Sequence, residues 1–588
     1  MLVVSGSRSP GTRICRWMCA GREPLPTRLG GRSGASMKGV ESRLPFTFPP
    51  YRKVGPMGEV NGGVAGVRRT SSAGRVLVVG AGPVGLVAAV ELARRGVEVR
   101  LVDKSGGPSS GSRGKGLQPR SIEVFDDLGL AGRILATSRA RLAIRKYRGR
   151  VVLGTSDVVP GAPEPTASTP YPRTVLLPQW RVEEVLRERL GELGVMVEYG
   201  SELFGLKQEG DRVQASLRTA SGSESDSFSY AIGCDGASST VRRLLEIGFL
   251  GQTDETVRML TADVELSGLD RDFWHWWPSA DGRLLALCPL AATDTFQLQV
   301  GVAADTAGEL PLKEIQALVE ERSGRADIRI RRVVWQSVWR FNVRMVDRYR
   351  AERVFLAGDS AHVHSPAGGL GMNTGIQDAY NLGWKIAHVL HGAPEALLDT
   401  YEQERLPIAA DVLNLSSELI AGRVKGVVPG EGQGSDTLQL KVHYPVSELN
   451  GSLRGEHVFV QAGDRAPDSL LCGPDGAAVR LFDLFRGTHT SALAFGPRSS
   501  KVADALARRF PYCLKSFTLC PAASPTTVPS TSHFTDGEGH ARQDYSIDGD
   551  TLLVIRPDGY VGLRATEPSE AEALRYLRRF LPEEHAAR

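Results

Sequence analysis

Val76-Leu77-Val78-Val79-Gly80-Ala81-Gly82-Pro83-Val84-Gly85 decides the fold class. Its first four residues are a short continuous apolar run, as a parallel strand buried on both faces requires. The glycines that follow match GxGxxG. Gly80 permits a tight turn, Gly82 lets a pyrophosphate approach the backbone, and Gly85 lets a helix pack on the strand. That helix carries Val84, Val87, Ala88 and Leu92 on one face, with Glu91 placed to pair with Arg95. Its N-terminus offers free N–H groups and a positive dipole end to phosphates. Val97-Glu98-Val99-Arg100-Leu101-Val102 reads as a second strand. Asp103 closes it, eighteen residues after Gly85, where a carboxylate can hydrogen-bond a ribose hydroxyl. This is a βαβ opening with a dinucleotide fingerprint, which does not by itself separate FAD from NAD.

Two further segments bear on the cofactor. Ala231-Ile232-Gly233-Cys234-Asp235-Gly236-Ala237-Ser238-Ser239-Thr240 reads as a strand, a turn and a helix start. Val354-Phe355-Leu356-Ala357-Gly358-Asp359 is a buried strand with a carboxylate at its C-terminal end, where ligands of α/β sheets gather. Beyond it, Pro366-Ala367-Gly368-Gly369-Leu370-Gly371-Met372-Asn373 leaves the backbone unencumbered. Thr374-Gly375-Ile376-Gln377 then reads as a capping box opening a helix. Exposed N–H groups there suit the electron-rich edge of a reduced flavin.

The chain of 588 residues has room for two or three domains. Residues 1–73 hold twelve Lys/Arg against three acids, +9, so the rest carries −5 of the overall +4. The basic excess is thus local, and nucleic-acid binding is not expected. Residues 1–73 are expected to be a disordered extension. They read either as an Arg-rich transit peptide or as an over-extended start, with Met37 or Met57 as the true first residue. No run approaches a membrane span. The seven scattered cysteines show no paired CxxC, which favours a reducing compartment over a structural zinc site. Cytoplasmic location is expected, with mitochondrial targeting as the alternative. Alternating segments such as Thr295-Phe296-Gln297-Leu298-Gln299-Val300 predict an antiparallel sheet over about 250–345, rich in tryptophan. A helical stretch follows over about 374–420, then a Gly-rich linker near Val428–Ser435 and a separate small α/β domain.

Taken together, the Gly80–Gly85, Asp235-Gly236 and Gly358-Asp359 segments resemble those of the FAD-dependent aromatic hydroxylases. These are the class A flavoprotein monooxygenases of p-hydroxybenzoate hydroxylase-like fold. Within them the chain resembles the polyketide and phenol hydroxylase branch, over residues 74–588. The resemblance implies an α/β architecture: a Rossmann-like FAD-binding domain (74–430) with an inserted mixed or antiparallel substrate-binding sheet, and a thioredoxin-like C-terminal domain (431–588). It implies FAD contacts by Gly80, Gly82, Pro83 and Gly85. Asp103, beside Lys104, takes the adenosine-ribose position, and Arg113 lies near pyrophosphate and flavin. Gln179 matches a flavin-contacting glutamine, and Asp235 lies in the segment that touches both nucleotides. Gly358 and Asp359 reach the ribityl chain, while Pro366, Gly369, Leu370, Gly371, Met372 and Asn373 line the isoalloxazine.

The implied activity is NADPH- or NADH-driven insertion of one atom of O2 into a phenolic or polycyclic aromatic substrate, through a flavin C4a-hydroperoxide. Baeyer–Villiger insertion, epoxidation, oxidation without oxygen insertion and catalytically inert flavin binding remain alternatives. A homodimer is compatible with the sequence. His275, Tyr349 and Arg340 are pocket candidates, but spacing selects no catalytic base. His362 and His364 lack the carboxylate or cysteine spacing of a metal site. The C-terminal domain has Cys513 and Cys520 but no CxxC, so a structural rather than dithiol role is expected.

Overall fold

The computed structural model describes residues 74–156, 164–279, 284–364, 367–424, 435–451, 460–521 and 532–582. The N-terminal extension, Pro366 and all but the last residue of the Gly-rich linker lie outside the described residues.

The GxGxxG segment opens a six-stranded sheet. Its order is Arg350–Ala351, Val354–Leu356, Tyr230–Gly233, Arg75–Val79, Glu98–Asp103 and Val197–Tyr199. All neighbours are parallel except the first pair. Helix Pro83–Ala93 returns the chain between Arg75–Val79 and Glu98–Asp103. It is buried on nearly every side, because helix Gly371–Leu390 packs on the side away from the sheet. A Cβ at Gly383 would lie 2.5 Å from the Cβ of Glu91, so only glycine allows this approach. Glu91, fully buried, pairs with Arg94 and Arg95 at 2.5 Å each.

The expected helical stretch is two helices, Gly371–Leu390 and Asp399–Val424. The first begins three residues before the expected capping box and carries no side-chain cap. Thr374 Oγ1 instead donates to Leu370 O, and Gln377 reaches Asn373 O and Gln439. The two left-handed glycines Gly368 (φ 82°) and Gly369 (φ 66°) turn the chain so sharply that the helix starts at once.

The second sheet has eight strands: His362–Val363, Arg329–Met345, Leu250–Ser267, Phe296–Val302, Leu285–Pro289, Trp274–Trp277, Ile144–Arg148 and Val151–Ser156. It is antiparallel except where Trp274–Trp277 runs parallel to Ile144–Arg148. Strands from 144–156 and 362–363 thus join the predicted 250–345 span. Antiparallel pairing explains the period-2 pattern read in Thr295–Val300.

The third sheet is built on a βαβ unit, Thr490–Ala494, helix Pro497–Arg509 and Leu514–Pro521. A hairpin, Thr551–Ile555 with Val561–Thr566, adds antiparallel to its first strand. Cys513 and Cys520 sit at opposite ends of Leu514–Pro521, about 23 Å apart by strand rise, beyond reach of a disulfide. One core of this sheet is completed by Trp384 and Leu397 from the flavin-motif side of the chain. A buried charge cluster ties the same surfaces. Glu404 accepts from Arg556 (2.6 and 2.9 Å), Lys385 (2.8 Å) and Asn381 (2.7 Å). Arg556 also reaches Asp558 at 2.5 Å. Burial opposes ionisation of Glu404, but Arg556 and Lys385 outweigh it and hold its carboxyl below the usual range. Burial lowers Lys385 to about 8 despite that carboxylate. No helix among the described residues is long and apolar enough to cross a membrane.

Replacing Arg556 by Leu leaves the buried Asp558 without its cation, keeping only the 3.3 Å bond from Asn381, and leaves Glu404 with Lys385 as its one remaining cation. Removing one member of such a buried cluster costs about 3–5 kcal/mol. The urea midpoint of Arg556→Leu should therefore fall by the corresponding amount at unchanged m-value, and an unchanged midpoint would refute the assigned load.

Candidate active site

Four strand ends meet at one edge of the parallel sheet: Gly80 after Val79, Asp103, Cys234-Asp235 after Gly233, and Gly358-Asp359 after Leu356. Gly80 has φ 103°, and a Cβ there would sit 2.4 Å from Cys234 O. A Cβ on Gly85 would meet Gly80 O at 1.8 Å, whereas one on Gly82 would face open space. The glycine turn is therefore pressed against protein on two sides and bare on the third. Pro83 sits in the first turn of the helix, which has no side-chain cap. Asp103 holds this turn: Oδ2 accepts from Ala81 N at 2.7 Å, and Oδ1 from Ser105 N at 2.8 Å. Lys104 beside it is exposed.

Asp235 binds the second and third segments together. Its carboxylate accepts from Ser239 Oγ (2.5 Å), Thr240 N (2.6 Å) and Ser360 Oγ (3.1 Å). Arg242 adds bonds to Ser360 O and Ala237 O. Asp359 differs, for it accepts no hydrogen bond from any described residue. It opens to the cleft along one side and is walled by protein elsewhere. That loss of water raises its carboxyl above the usual range, against the pull of His362 and Arg113.

Beneath it lies a residue that the sequence motifs did not single out. Asp378, fully buried, accepts from Gly358 N (3.1 Å), His362 Nε2 (2.7 Å) and Arg405 Nε (2.8 Å). Burial works against its charge, but Arg405 and His362 outweigh burial and hold its carboxyl below the ordinary range. Gly358 itself has φ 61°, with Val84 only 2.7 Å from where a Cβ would stand. Tyr349 is packed below this turn, 6.1 Å from the ring of His362, and Arg340 is exposed on the long strand Arg329–Met345.

The Gly368–Gly369 turn is held by two amides. Gln118 Nε2 donates to Gly368 O at 3.0 Å. Asn373 Nδ2 donates to Gly369 O at 2.7 Å, while its Oδ1 accepts from Gln118 N at 2.8 Å. Leu370 is buried, and Gly371 and Met372 form the first turn of an uncapped twenty-residue helix. Gln179 reaches the same region, with Oε1 accepting from Gly114 N at 3.1 Å and Met372 Sδ 3.6 Å from the Cβ position of Gly114. Arg113, exposed beside Gly114, contributes its charge to both Asp359 and Glu183. Gln179 Nε2 donates to Glu183 at 2.9 Å. Burial pushes Glu183 up to about 7, against Gln179, Arg187 and Arg113 and reinforced by Asp103.

The second sheet docks onto the loop that carries Arg113. Asp263, Gln297 and Trp335 stand in one row across neighbouring strands. Gln297 Nε2 donates to Ser112 O, and Lys115 Nζ donates to Gln297 Oε1. The ring of Trp335 occupies the space a Cβ on Gly111 would need. Burial raises Asp263 to about 6, opposed by Ser112 and Lys115. Lys115 lies 4.5 Å over the ring of Trp274. His275 is fully engaged: Nε2 meets Asp270 O at 2.9 Å and Nδ1 meets Tyr147 Oη at 2.8 Å. A carbonyl only accepts, so Nε2 carries the proton and Tyr147 donates to Nδ1. Burial lowers its pKa. His275 is therefore a core residue rather than a free base. No group of three or more His, Cys, Asp or Glu among the described residues could hold a metal.

The bare glycine turn at a helix N-terminus suits a pyrophosphate. Asp359, which accepts no hydrogen bond from the described residues, suits a hydroxylated chain, and the uncapped N-terminus after Gly369 suits an electron-rich ring. The residues present thus fit FAD. This combination defines an FAD-binding flavoprotein. The family described as FAD binding domain matches residues 74–416, and the chain belongs to it, among the FAD-dependent aromatic and polyketide monooxygenases that use NAD(P)H as electron donor. It is 41% identical over 510 residues to a flavin-dependent monooxygenase of Mycobacteroides abscessus, covering 86% of this chain and 99% of that one. It is 40% identical to 6-methylpretetramide 4-monooxygenase of Streptomyces rimosus over 58% of this chain and 60% of that protein. The crystal structure of aklavinone-11 hydroxylase with FAD and aklavinone superposes with TM-score 0.73 at 26% identity, covering 86% and 99% of the two chains.

Glu183 gives this region a pH signature. Its folded pKa of about 7 exceeds its ordinary 4.5, so the folded protein holds this proton more tightly than the unfolded chain. Its contribution to stability is full below about pH 4.5 and is lost as the pH rises through 7. Glu183→Gln keeps an acceptor for Gln179 without the charge. Its Tm should gain on wild type between pH 5 and pH 8; parallel Tm curves would refute the shift.

Proposed function

We propose that the chain hydroxylates a phenolic or polycyclic aromatic substrate held beside the junction of the second sheet and the Arg113 loop. The observation that carries this reading is the row Asp263–Gln297–Trp335, bonded directly to Ser112 and Lys115. This row fastens the tryptophan-bearing sheet to the loop that borders the cofactor cleft, so a ring held beside the junction lies near that cleft. Bound FAD would supply two-electron chemistry from NAD(P)H and the activation of O2.

The chain's own residues divide the remaining work. Gly80, Gly82 and Pro83 form the pyrophosphate turn, which Asp103 holds in shape while presenting its edge to a ribose. Asp359 takes the ribityl hydroxyls. Gly369, Leu370, Gly371, Met372 and Asn373 line the isoalloxazine, with Gln179 and Arg113 across from them. Asp235 serves chiefly to lock two of these segments together, since its carboxylate already accepts bonds from Ser239, Thr240 and Ser360. Exclusion of water by Trp274, Trp276 and Trp335 protects the reacting oxygen. The C-terminal sheet, a βαβ unit followed by a hairpin and helix Glu570–Leu577, supports a thioredoxin-like reading in which docking replaces dithiol chemistry.

The FAD-loaded protein, supplied with NAD(P)H, a panel of phenols and polycyclic aromatics, and 18O2, should place one labelled atom in a phenolic product. Labelled lactone would select Baeyer–Villiger insertion, and NAD(P)H loss without label in any product would overturn oxygen transfer. Separately, Asp359→Ala should weaken FAD binding by about 1.5–3 kcal/mol, the worth of a charge-assisted hydrogen bond. Equal FAD dissociation constants for variant and wild type would remove Asp359 from the site.

A further inference from the structure

Glu183 is a carboxylic acid where helix packing asks for none. It belongs to helix Gln179–Glu192, whose buried face carries Val182, Val185, Leu186 and Leu190, and is itself 3% exposed. Among the described residues its carboxyl accepts one hydrogen bond, from Gln179 Nε2 at 2.9 Å, one helical turn earlier. Arg187, one turn later, stands 3.7 Å away, too far for a hydrogen bond. Burial raises the carboxyl to about 7, against Arg187 and Arg113. An apolar side chain would avoid that cost, so the acid is explained by what it holds.

What it holds is the amide of Gln179. This residue grips Gly114 from both sides: Gln179 N donates to Gly114 O at 3.0 Å, and Gly114 N donates to Gln179 Oε1 at 3.1 Å. A backbone N–H only donates, so the amide oxygen faces Gly114 and the amide nitrogen faces away from it. Glu183 supplies the acceptor that this nitrogen needs. Turning the amide over would set its N–H groups against the Gly114 N–H, donor on donor. Gly114 in turn lies between Gln179 and the flavin helix, for a Cβ on it would stand 3.4 Å from Gln179 Oε1 and 3.5 Å from Met372 Cε. The next residue is held by Leu177 N, which donates to Lys115 O at 2.9 Å. The backbone after Arg113 is therefore fixed from the Gln179 side, and the charge of Arg113 acts on Asp359.

We propose that Glu183 is a positioning residue for FAD: it locks the Gln179 amide with its oxygen toward Gly114, and so holds the Arg113–Lys115 loop at the isoalloxazine end of the cleft. This rests on the placement of Gln179 and Arg113 across from the isoalloxazine given above. The effect passes through Gln179 and not through the charge of Glu183. A carboxylate beside Asp103 and Arg113 disfavours an anionic diphosphate, so loss of charge alone would tighten FAD binding.

The test is a double-mutant cycle on FAD dissociation constants, read from flavin fluorescence, for wild type, Glu183→Met, Gln179→Met and the double variant. Glu183→Met should weaken FAD binding about tenfold, as the loss of one hydrogen bond does. In the Gln179→Met background the same change should cost about twofold or less. Glu183→Gln, which keeps an acceptor and disturbs packing least, should retain most of the affinity. Additive losses in the cycle would overturn the proposal, since a general loosening of the helix would not need Gln179. Unchanged or tighter FAD binding by Glu183→Met would overturn it, as would a Glu183→Gln variant that loses tenfold. The two readings fail separately. If Gln179→Met binds FAD as wild type does, the placement of Gln179 fails and takes the proposal with it. If Gln179→Met weakens FAD binding and Glu183→Met does not, the placement stands and only the role of Glu183 fails.

Discussion

The buried carboxylate of Asp378 is the constraint on which the flavin side of the molecule depends. It belongs to helix Gly371–Leu390, yet its acceptors are spent on the strand exit before Asp359 and on the next helix, through Gly358 N, His362 and Arg405. A charged group with no exposure needs such partners, since an unpaired buried carboxylate would be prohibitively costly. With Asp378 satisfied, Gly358 is fixed in its left-handed conformation and Asp359 is presented at the cleft. Arg405 also bonds Thr374 O and Tyr444, which extends the same tie to the first turn of the flavin helix and to the segment beyond residue 435.

The C-terminal sheet extends this logic. Glu404, one residue before Arg405, faces Arg556, and Lys385 lies two helical turns beyond Asp378. Trp384 fills the core on that side. The helix whose N-terminus faces the cofactor cleft is therefore clamped along its length by charges on one side and by the C-terminal core on the other. The C-terminal sheet, which carries no CxxC, is thus tied to the helices of the flavin motifs by buried charged groups. Asp235 plays a comparable part at the sheet edge. Its carboxylate is committed to Ser239, Thr240 and Ser360, so that two separate segments move as one.

Much of the fold was legible in local pattern. The strand-turn-helix at Gly80–Gly85, the strands before Asp235 and Asp359, and the alternation in Thr295–Val300 each follow from residues close in the chain. The glycines were readable for the same reason, because a left-handed turn or a close approach admits little else. The capping box at Thr374 misled because an S/T-x-x-E/Q spacing looks the same inside a first turn as at its cap. His275 read as a pocket candidate, and only the positions of Asp270 O and Tyr147 Oη show both its nitrogens engaged.

The sequence by itself determined a dinucleotide fingerprint, the parallel sheet and the identity of the strand-end carboxylates, since these depend on short-range geometry written in consecutive residues; FAD followed from the resemblance of three motifs taken together. Tertiary structure alone decided which of those carboxylates is free. Asp103 and Asp235 meet backbone N–H and hydroxyl donors, some of them from the distant Ala81 and Ser360, while Asp359 meets no donor among the described residues, and no local spacing encodes that difference. The same holds for Asp378, Asp263 and Glu183. Their chemistry is set by burial and by which charges face them, and both arise only when sheets formed from remote stretches pack together.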